Sequence, residues 1–162
     1  AHLMGRMRLF YHFISLHFNI IDILIFGYFN MQKIEHIGIA VNDIKEANTV
    51  FKSILGKSHY KTEYVESEDV LTSFFDLGES KIELIESNDT NNHISKFLIN
   101  NNSAIHHIAI KVNDIYFEIQ RIKNEGIRVL NDTPKAGADN QLICFLHPKD
   151  TLGVLIELCQ EK

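Results

Sequence analysis

Two histidines and two glutamates stand at matching positions in two similar stretches of the 162-residue chain. His36 and His107 each belong to a run of β-branched residues, 71 positions apart, and Glu83 and Glu157 each interrupt an apolar run. Burying a lone carboxylate is costly, so each glutamate must face solvent, form an ion pair or bind a metal. Because halves related by a two-fold axis bring equivalent residues together, we expect the four side chains to meet.

Two neutral imidazoles and two carboxylates balance the charge of a divalent cation. Mixed nitrogen and oxygen ligands suit Zn, Co, Ni, Mn or Fe, with coordination positions left for water or substrate. The pattern therefore predicts a metal site formed by His36, Glu83, His107 and Glu157. The simpler interpretation, that each glutamate points to solvent from a half-buried strand, is weaker for two glutamates matched by two histidines. The repeat register assigns the ligand to His107 and places His106 on the outer face or beside the site.

These residues belong to a sequence repeat. Ile34–Ile44 (IEHIGIAVNDI) and Ile105–Ile115 (IHHIAIKVNDI) match at seven of nine positions from His36 and His107 onward. A helical pattern follows each copy and ends at a glycine, and three strand candidates follow each helix. The sequence therefore predicts an α+β fold in which two β-α-β-β-β units, at about residues 32–87 and 104–160, form a curved sheet around one metal-binding cleft.

The elements of each unit follow from apolar spacing and turn residues. The predicted strands after each helix are Tyr60–Val65, Leu71–Leu77 and Lys81–Glu86 in the first half, and Ile127–Leu130, Leu142–His147 and Leu155–Cys159 in the second. A short helix is predicted at Ile94–Leu98, between the halves. The residues expected in the core are Ile39, Val41, Phe51, Ile54, Ile110, Val112, Ile119 and Ile122.

Composition narrows the function classes. The chain has 16 basic and 21 acidic residues and a formal charge of −5, which argues against general nucleic-acid binding. Its 45% hydrophobic content excludes a disordered chain. Two cysteines, Cys144 and Cys159, are too few for a disulfide scaffold and indicate reduced thiols in a cytoplasmic protein.

The first thirty residues differ from the rest. Leu9–Phe29 is almost wholly apolar and about as long as a membrane span, but Asp22 lies in its middle, and no small-residue cleavage site follows. Met31 opens a stretch typical of an ordinary soluble start. We interpret residues 1–30 as a non-native or over-extended segment, with no membrane attachment of the protein. A membrane anchor is the alternative.

Several stretches together resemble the vicinal oxygen chelate superfamily, which includes glyoxalase I, extradiol dioxygenases, and fosfomycin and bleomycin resistance proteins. Within it, the chain is most similar to the methylmalonyl-CoA epimerase family, over about residues 32–160. The stretches that carry the resemblance are His36–Val41, Lys81–Leu84, Ile94–Leu98, Ile105–Ala109, Gly137–Ala138, Phe145–Lys149 and Gly153–Leu158.

The resemblance implies a metal-dependent epimerase that removes a proton from the carbon between a thioester and a carboxylate and returns it on the other face. One divalent ion (Co, Zn, Ni or Mn) would stabilise the enolate as a Lewis acid. The resemblance favours Glu157 as one base, and Glu83 is the candidate for the other. The small-molecule partner would be an acyl-CoA thioester, and the assembly a homodimer.

Two loops are candidates for substrate contact under this resemblance. The Gly137–Ala138 loop and the His147–Lys149 turn would form a wall over the substrate, and Lys149 would attract a carboxylate or a CoA phosphate unless it is simply a solvated turn lysine. The chain departs from the family after Ala138, where Asp139-Asn140 replaces a small or histidine-glycine pair.

Other members of the superfamily define the alternatives. Glyoxalase I also uses histidine and glutamate metal ligands for proton transfer, but it acts on a glutathione hemithioacetal. Its relatives usually carry an arginine on the first strand, and residues 37–43 have none. An extradiol dioxygenase would leave one of the two glutamates without a role. A drug-binding module would need no metal ligands.

Overall fold

The computed structural model describes residues 31–162, in which eight strands form one mixed sheet with three α-helices. The first half contains β1 (Met31–Ala40), α1 (Ile44–Leu55), β2 (Lys61–Val65), β3 (Val70–Asp76) and β4 (Lys81–Glu86). After α2 (His93–Asn100), the second half contains β5 (Ala104–Val112), α3 (Ile115–Asn124), β6 (Lys135–Ala136), β7 (Gln141–Phe145), a 3₁₀ turn (Pro148–Asp150) and β8 (Ile156–Glu161). The predictions for residues 1–30 lie outside the described residues.

The sheet order confirms the predicted α+β fold with two repeated units. The strands lie in the order β2-β3-β4-β1-β5-β8-β7-β6, so each half contributes four neighbouring strands. β1 pairs with β4, and β5 pairs with β8, in parallel, whereas β1 and β5 join the halves as an antiparallel pair. This order places the first and closing strands of both halves at the centre of the sheet, which is curled.

The helix of each half covers the core beneath its own strands. Asp43 caps α1 by accepting hydrogen bonds from the backbone N–H groups of Lys45 and Glu46, and Gly56 ends the helix in the left-handed conformation that glycine favours. Beneath α1 lies a buried cluster of Val41, Ile44, Phe75 and Leu84. Beneath α3 lies a second one, formed by Val112, Ile115, Ile119, Ile122, Cys144, Leu146 and Leu158.

Alternation along the strands sends the candidate ligands to the other face. Leu84 and Leu158 enter the two cores. The neighbouring Glu83 and Glu157 therefore project from the opposite face of the sheet, because successive side chains of a strand point in opposite directions. Helices α1 and α3 thus cover one face, whereas the other face forms the cleft, to whose lining α2 contributes His93 and Ile94.

Two expectations about the elements are wrong. Ile54 is 69% exposed, because the stripe that α1 buries runs through Ala47, Phe51 and Leu55 and leaves Ile54 on the solvent side. The expected strand at residues 127–130 reduces to an isolated bridge between Val129 and Leu146, and the edge strand is β6 instead. Among residues 31–162, none of the helices has both the length and the hydropathy that a membrane span requires.

Candidate metal and active site

The four predicted ligands meet in the middle of the sheet. The Nε2 atoms of His36 and His107 are 2.9 Å apart. His36 Nε2 lies 3.3 Å from Glu83 and 3.8 Å from Glu157, and His107 Nε2 lies 3.5 Å and 3.7 Å from the same two carboxylates. All four side chains are buried. The side chains that the repeat pairs are therefore the ones that the fold brings together.

Strand pairing explains this convergence. His36 on β1 pairs with Ala109 on β5, and His107 pairs with Gly38, so each histidine faces a small residue of the other half. Glu83 pairs with Gly38 and Glu157 with Ala109, which sets each glutamate beside the same small residues. A Cβ atom on Gly38 would lie 2.2 Å from His107 Cε1, so the His107 ring occupies the space that glycine leaves. Small residues at the centre make room for the ligands.

The donor set fits a divalent cation. Ligand atoms bonded at about 2.0–2.2 Å to one ion lie roughly 3–4 Å apart, and the separations of 2.9–3.8 Å between these atoms agree with that range. His36, His107 and Glu157 each offer an atom within 4.8 Å of the other two. Buried carboxylates held this close together need compensating positive charge. The arrangement therefore suits a divalent cation held by mixed nitrogen and oxygen ligands, and its identity stays a prediction.

Burial and mutual charge perturb these groups in the metal-free protein. Burial alone would lower the pKa of His36, but the neighbouring Glu83, Glu35 and Glu157 outweigh it and raise this pKa to about 10. Burial raises the pKa of Glu157 to about 8, although His36 opposes the shift. Burial, together with the charge of His36, lowers the pKa of His107 well below its usual value. The carboxyl of Glu157 therefore holds a proton at neutral pH.

The residue next to His36 was missed by the sequence analysis. Glu35 precedes His36 and is buried, with Oε2 2.5 Å from His36 Nδ1. Strict alternation would send Glu35 to the outer face, but a β-bulge between Ile34 and His36 turns it inward. A carboxylate can only accept, so Nδ1 of His36 donates its proton to Glu35, and Nε2 is the nitrogen that a metal would bind once its own proton is displaced. A carboxylate directly before a ligand histidine was the available signal.

The second half has a different neighbour at the same place. His106, the repeat equivalent of Glu35, lies beside His107, and their Nδ1 atoms are 3.1 Å apart. Gly38 pairs with His107 and Ile39 pairs with Ile105, so His106 is the extra residue of a second bulge, on β5. The position of His106 matches the expectation that it lies beside the site. The two ligand histidines therefore have unequal partners.

The four residues line one cleft. Its apolar walls include Val65, Phe74, Ile143 and Phe145, and polar or charged side chains form the rest of its lining. Gly137 and Ala138 belong to the lining, as the sequence predicts for substrate contact. Glu68, from the turn between β2 and β3, lines the same cleft and forms an ion pair with Lys135. A cleft that combines apolar walls with convergent polar groups is typical of a small-molecule site.

The other two candidate substrate residues lie elsewhere. His147 caps the 3₁₀ turn by accepting a hydrogen bond from the backbone N–H of Lys149, and the side chain of Lys149 is exposed. Neither residue is among those that line the cleft. Their contact with substrate stays a prediction that the cleft geometry does not support.

Comparisons with known proteins agree with this geometry. The family model described as the glyoxalase/bleomycin resistance protein/dioxygenase superfamily matches residues 35–145. The uncharacterized protein YqjC of Bacillus subtilis is 35% identical, over 82% of this chain and 94% of its own length. Human mitochondrial methylmalonyl-CoA epimerase is 36% identical, over 81% of this chain and 75% of its own length.

Solved structures give the same result. A structure of Streptomyces coelicolor methylmalonyl-CoA epimerase in complex with 2-nitronate-propionyl-CoA is 33% identical, with a TM-score of 0.76. The similarity covers 81% of this chain and 95% of that chain. The fold around the cleft is therefore shared with an epimerase that was solved with this CoA compound bound.

Proposed function

The chain belongs to the glyoxalase/bleomycin resistance protein/dioxygenase superfamily, and from this premise we propose that it is a metal-dependent epimerase of methylmalonyl-CoA. The observation that carries the proposal is the convergence of His36, His107, Glu83 and Glu157 in one cleft. Relatives that are named methylmalonyl-CoA epimerases support the substrate. The homodimer and the cytoplasmic location remain predictions.

The reaction removes a weakly acidic proton from carbon, so the negative charge of the enolate must be stabilised. A divalent cation held by His36, Glu83, His107 and Glu157 would supply that stabilisation as a Lewis acid. Phe74, Ile143 and Phe145 form apolar walls, and such walls lower the local dielectric constant and strengthen charge interactions in the cleft.

Glu157 is the best candidate for one of the two bases. It is buried and belongs to the lining of the cleft, so its carboxylate can reach a substrate that binds there. A carboxylate held beside the substrate carbon can take a proton from it and return one. Glu157 would then work on one face of the substrate carbon.

Two carboxylates compete for the role of the second base. Glu83 comes from the other half of the repeat, but it lies within 3.5 Å of both histidines and belongs to the ligand set. Glu68 lies outside that set and still lines the cleft. Inversion needs a base on each face of the carbon, so one of these two groups completes the mechanism.

The main test follows solvent deuterium into the substrate. Metal-loaded protein in deuterated water should place deuterium on the α-carbon of the product at each turnover, because the returned proton comes from a different group. Glu157→Gln should remove most activity, with metal content measured on the same sample. Glu86→Gln is the matched control, because Glu86 lies on the same strand as Glu83 and outside the cleft lining. Full activity of the Glu157→Gln variant would contradict the assignment.

The second base is identified by a pair of variants. If Glu83 is mainly a ligand, Glu83→Gln should keep much of the activity, whereas Glu68→Gln should remove it while metal stays bound. If Glu83 is the base, Glu83→Gln should remove the activity while metal stays bound, and Glu68→Gln should keep much of it. Efficient conversion of a glutathione hemithioacetal, without exchange into methylmalonyl-CoA, would move the function to glyoxalase I.

A further inference from the structure

A row of alternating charges leads from the cleft wall to one ligand histidine. Asp139 follows Gly137 and Ala138 in the loop that lines the cleft. Its Oδ2 accepts a hydrogen bond from Lys81 Nζ at 2.7 Å, and Lys81 Nζ also lies 2.6 Å from Glu35 Oε1. The other oxygen of Glu35 lies 2.5 Å from His36 Nδ1. We name Asp139, Lys81 and Glu35 the charge relay.

The loop end of the charge relay is firmly held. Asp139 of the second half also accepts a hydrogen bond from Tyr60 of the first half at 2.8 Å, and its backbone N–H donates to Glu63 at 3.0 Å. Its φ of 49° is a conformation that non-glycine residues rarely adopt, so surrounding contacts must keep it there. The side chain of Asp139 is therefore fixed from several directions.

The second half of the repeat does without such a relay. The repeat equivalent of Glu35 is His106, and the equivalent of Lys81, 74 positions later, is Leu155. The second half nevertheless forms the same pairings, with β5 and β8 parallel like β1 and β4. The fold therefore does not need these charges, and a function on the His36 side explains them better.

We propose that Lys81 and Asp139 are positioning residues that act through Glu35 to fix the orientation and the protonated nitrogen of His36. The proposal rests on the proposed function for the role of His36 as a ligand. It also makes the orientation of His36 depend on the loop that lines the cleft. Hydrogen-bonded partners behind a ligand histidine commonly change metal affinity by about 10–100-fold when removed.

The test uses two readouts that do not depend on catalysis. The first is the rate at which the Nδ1–H proton of His36 exchanges with water in the metal-free protein, followed by NMR and assigned with a Glu35→Gln variant. The second is the affinity for Mn²⁺ by titration calorimetry. The variants are Lys81→Met and Asp139→Asn, with Lys81→Arg as the conservative variant. Lys33→Met is the control, because Lys33 pairs with exposed Glu79 outside the relay.

We expect Lys81→Met and Asp139→Asn to speed this exchange about tenfold, as for the loss of one hydrogen bond, and to weaken Mn²⁺ binding about tenfold. Lys81→Arg should restore most of both, and Lys33→Met should change neither. Faster exchange at His36 in the Asp139→Asn variant is the most informative result, because, among the residues that the structure describes, Asp139 is connected to His36 only through Lys81 and Glu35. Exchange and affinity within twofold of wild type, in variants that still fold, would overturn the proposal.

The two proposals fail in different ways. Relay-dependent exchange at His36 in a protein that binds no Mn²⁺ and epimerises nothing would support the charge relay and reject the proposed function. Normal epimerisation and tight Mn²⁺ binding, with an exchange rate that stays the same in the Lys81 and Asp139 variants, would support the proposed function and reject the charge relay.

Discussion

Replacing Gly38 with alanine tests the geometry of the candidate metal site. The new Cβ atom would lie 2.2 Å from Cε1, 2.5 Å from Nδ1 and 2.6 Å from Nε2 of His107. Carbon atoms in favourable contact are about 3.5–4.0 Å apart, so the ring would have to move by more than about 1 Å. His107 is 3% exposed and packs edge-on against Phe145, with ring centres 5.6 Å apart, so it has little room to move.

The consequences for metal binding and for stability should differ. Ligand distances in metal sites vary by only about 0.2 Å, so a shift this large removes His107 from the ligand set. We expect the affinity for Mn²⁺ to fall by at least about 100-fold, the upper end of the loss that even indirect partners produce. The overpacking itself should lower the free energy of unfolding by about 1–3 kcal/mol.

Titration calorimetry and urea denaturation measure the two effects. Gly137→Ala is the control, because its Cβ would lie 2.6 Å from Ile143 Cγ2 and would clash with an apolar side chain instead of a ligand. It should lower stability and leave Mn²⁺ affinity within about threefold of wild type, far less than the loss of a ligand contact. Wild-type affinity in Gly38→Ala would show that His107 is not held over Gly38 and would refute the ligand geometry.

Two further predictions concern charge. In the metal-free protein, raised pKa values leave His36 (about 10) and Glu157 (about 8) protonated at pH 7, so a cation must displace these protons. Mn²⁺ affinity should therefore rise between pH 6 and pH 8 with measurable proton release, and a flat profile would contradict this. Glu118 is 1% exposed, and its Oε2 lies 2.8 Å from Nη2 and 2.9 Å from Nε of Arg121. Arg121→Ala should therefore lower the free energy of unfolding by about 2 kcal/mol, less than the roughly 3–5 kcal/mol of a fully buried pair, because solvent reaches Arg121. A loss below about 0.5 kcal/mol in urea denaturation would show that Glu118 finds another partner.

The sequence repeat was sufficient to predict the central geometry. The offset between His36 and His107 located both first strands, and Glu83 and Glu157 marked the closing strands. These four residues could be found because each breaks an apolar pattern at equivalent places. The core stripe of α1 was predicted one residue off at Ile54, since Ile54 and Leu55 both fit a helical spacing from Phe51.

Features that depend on local irregularity were not predictable. Glu35 reaches His36 only because a bulge breaks the two-residue period of β1, and no spacing rule signals a bulge. The contact between Asp139 and Lys81 joins residues 58 positions apart in different halves, which only the closed fold reveals. The edge strand β6 replaced the expected one because the segment at 127–130 keeps only a single bridge to Leu146.

The seam between β1 and β5 has a consequence for the origin of the site. Each half supplies one histidine and one glutamate, so a gene that encoded a single half would specify only two of the four ligands. Two copies facing each other would complete the set, in identical surroundings. In a single chain the two halves need not be identical, and Glu35 opposite His106, or Gly38 opposite Ala109, are differences that two copies of one half could not have. Each ligand histidine therefore has surroundings of its own, which a single substitution can change without altering those of the other.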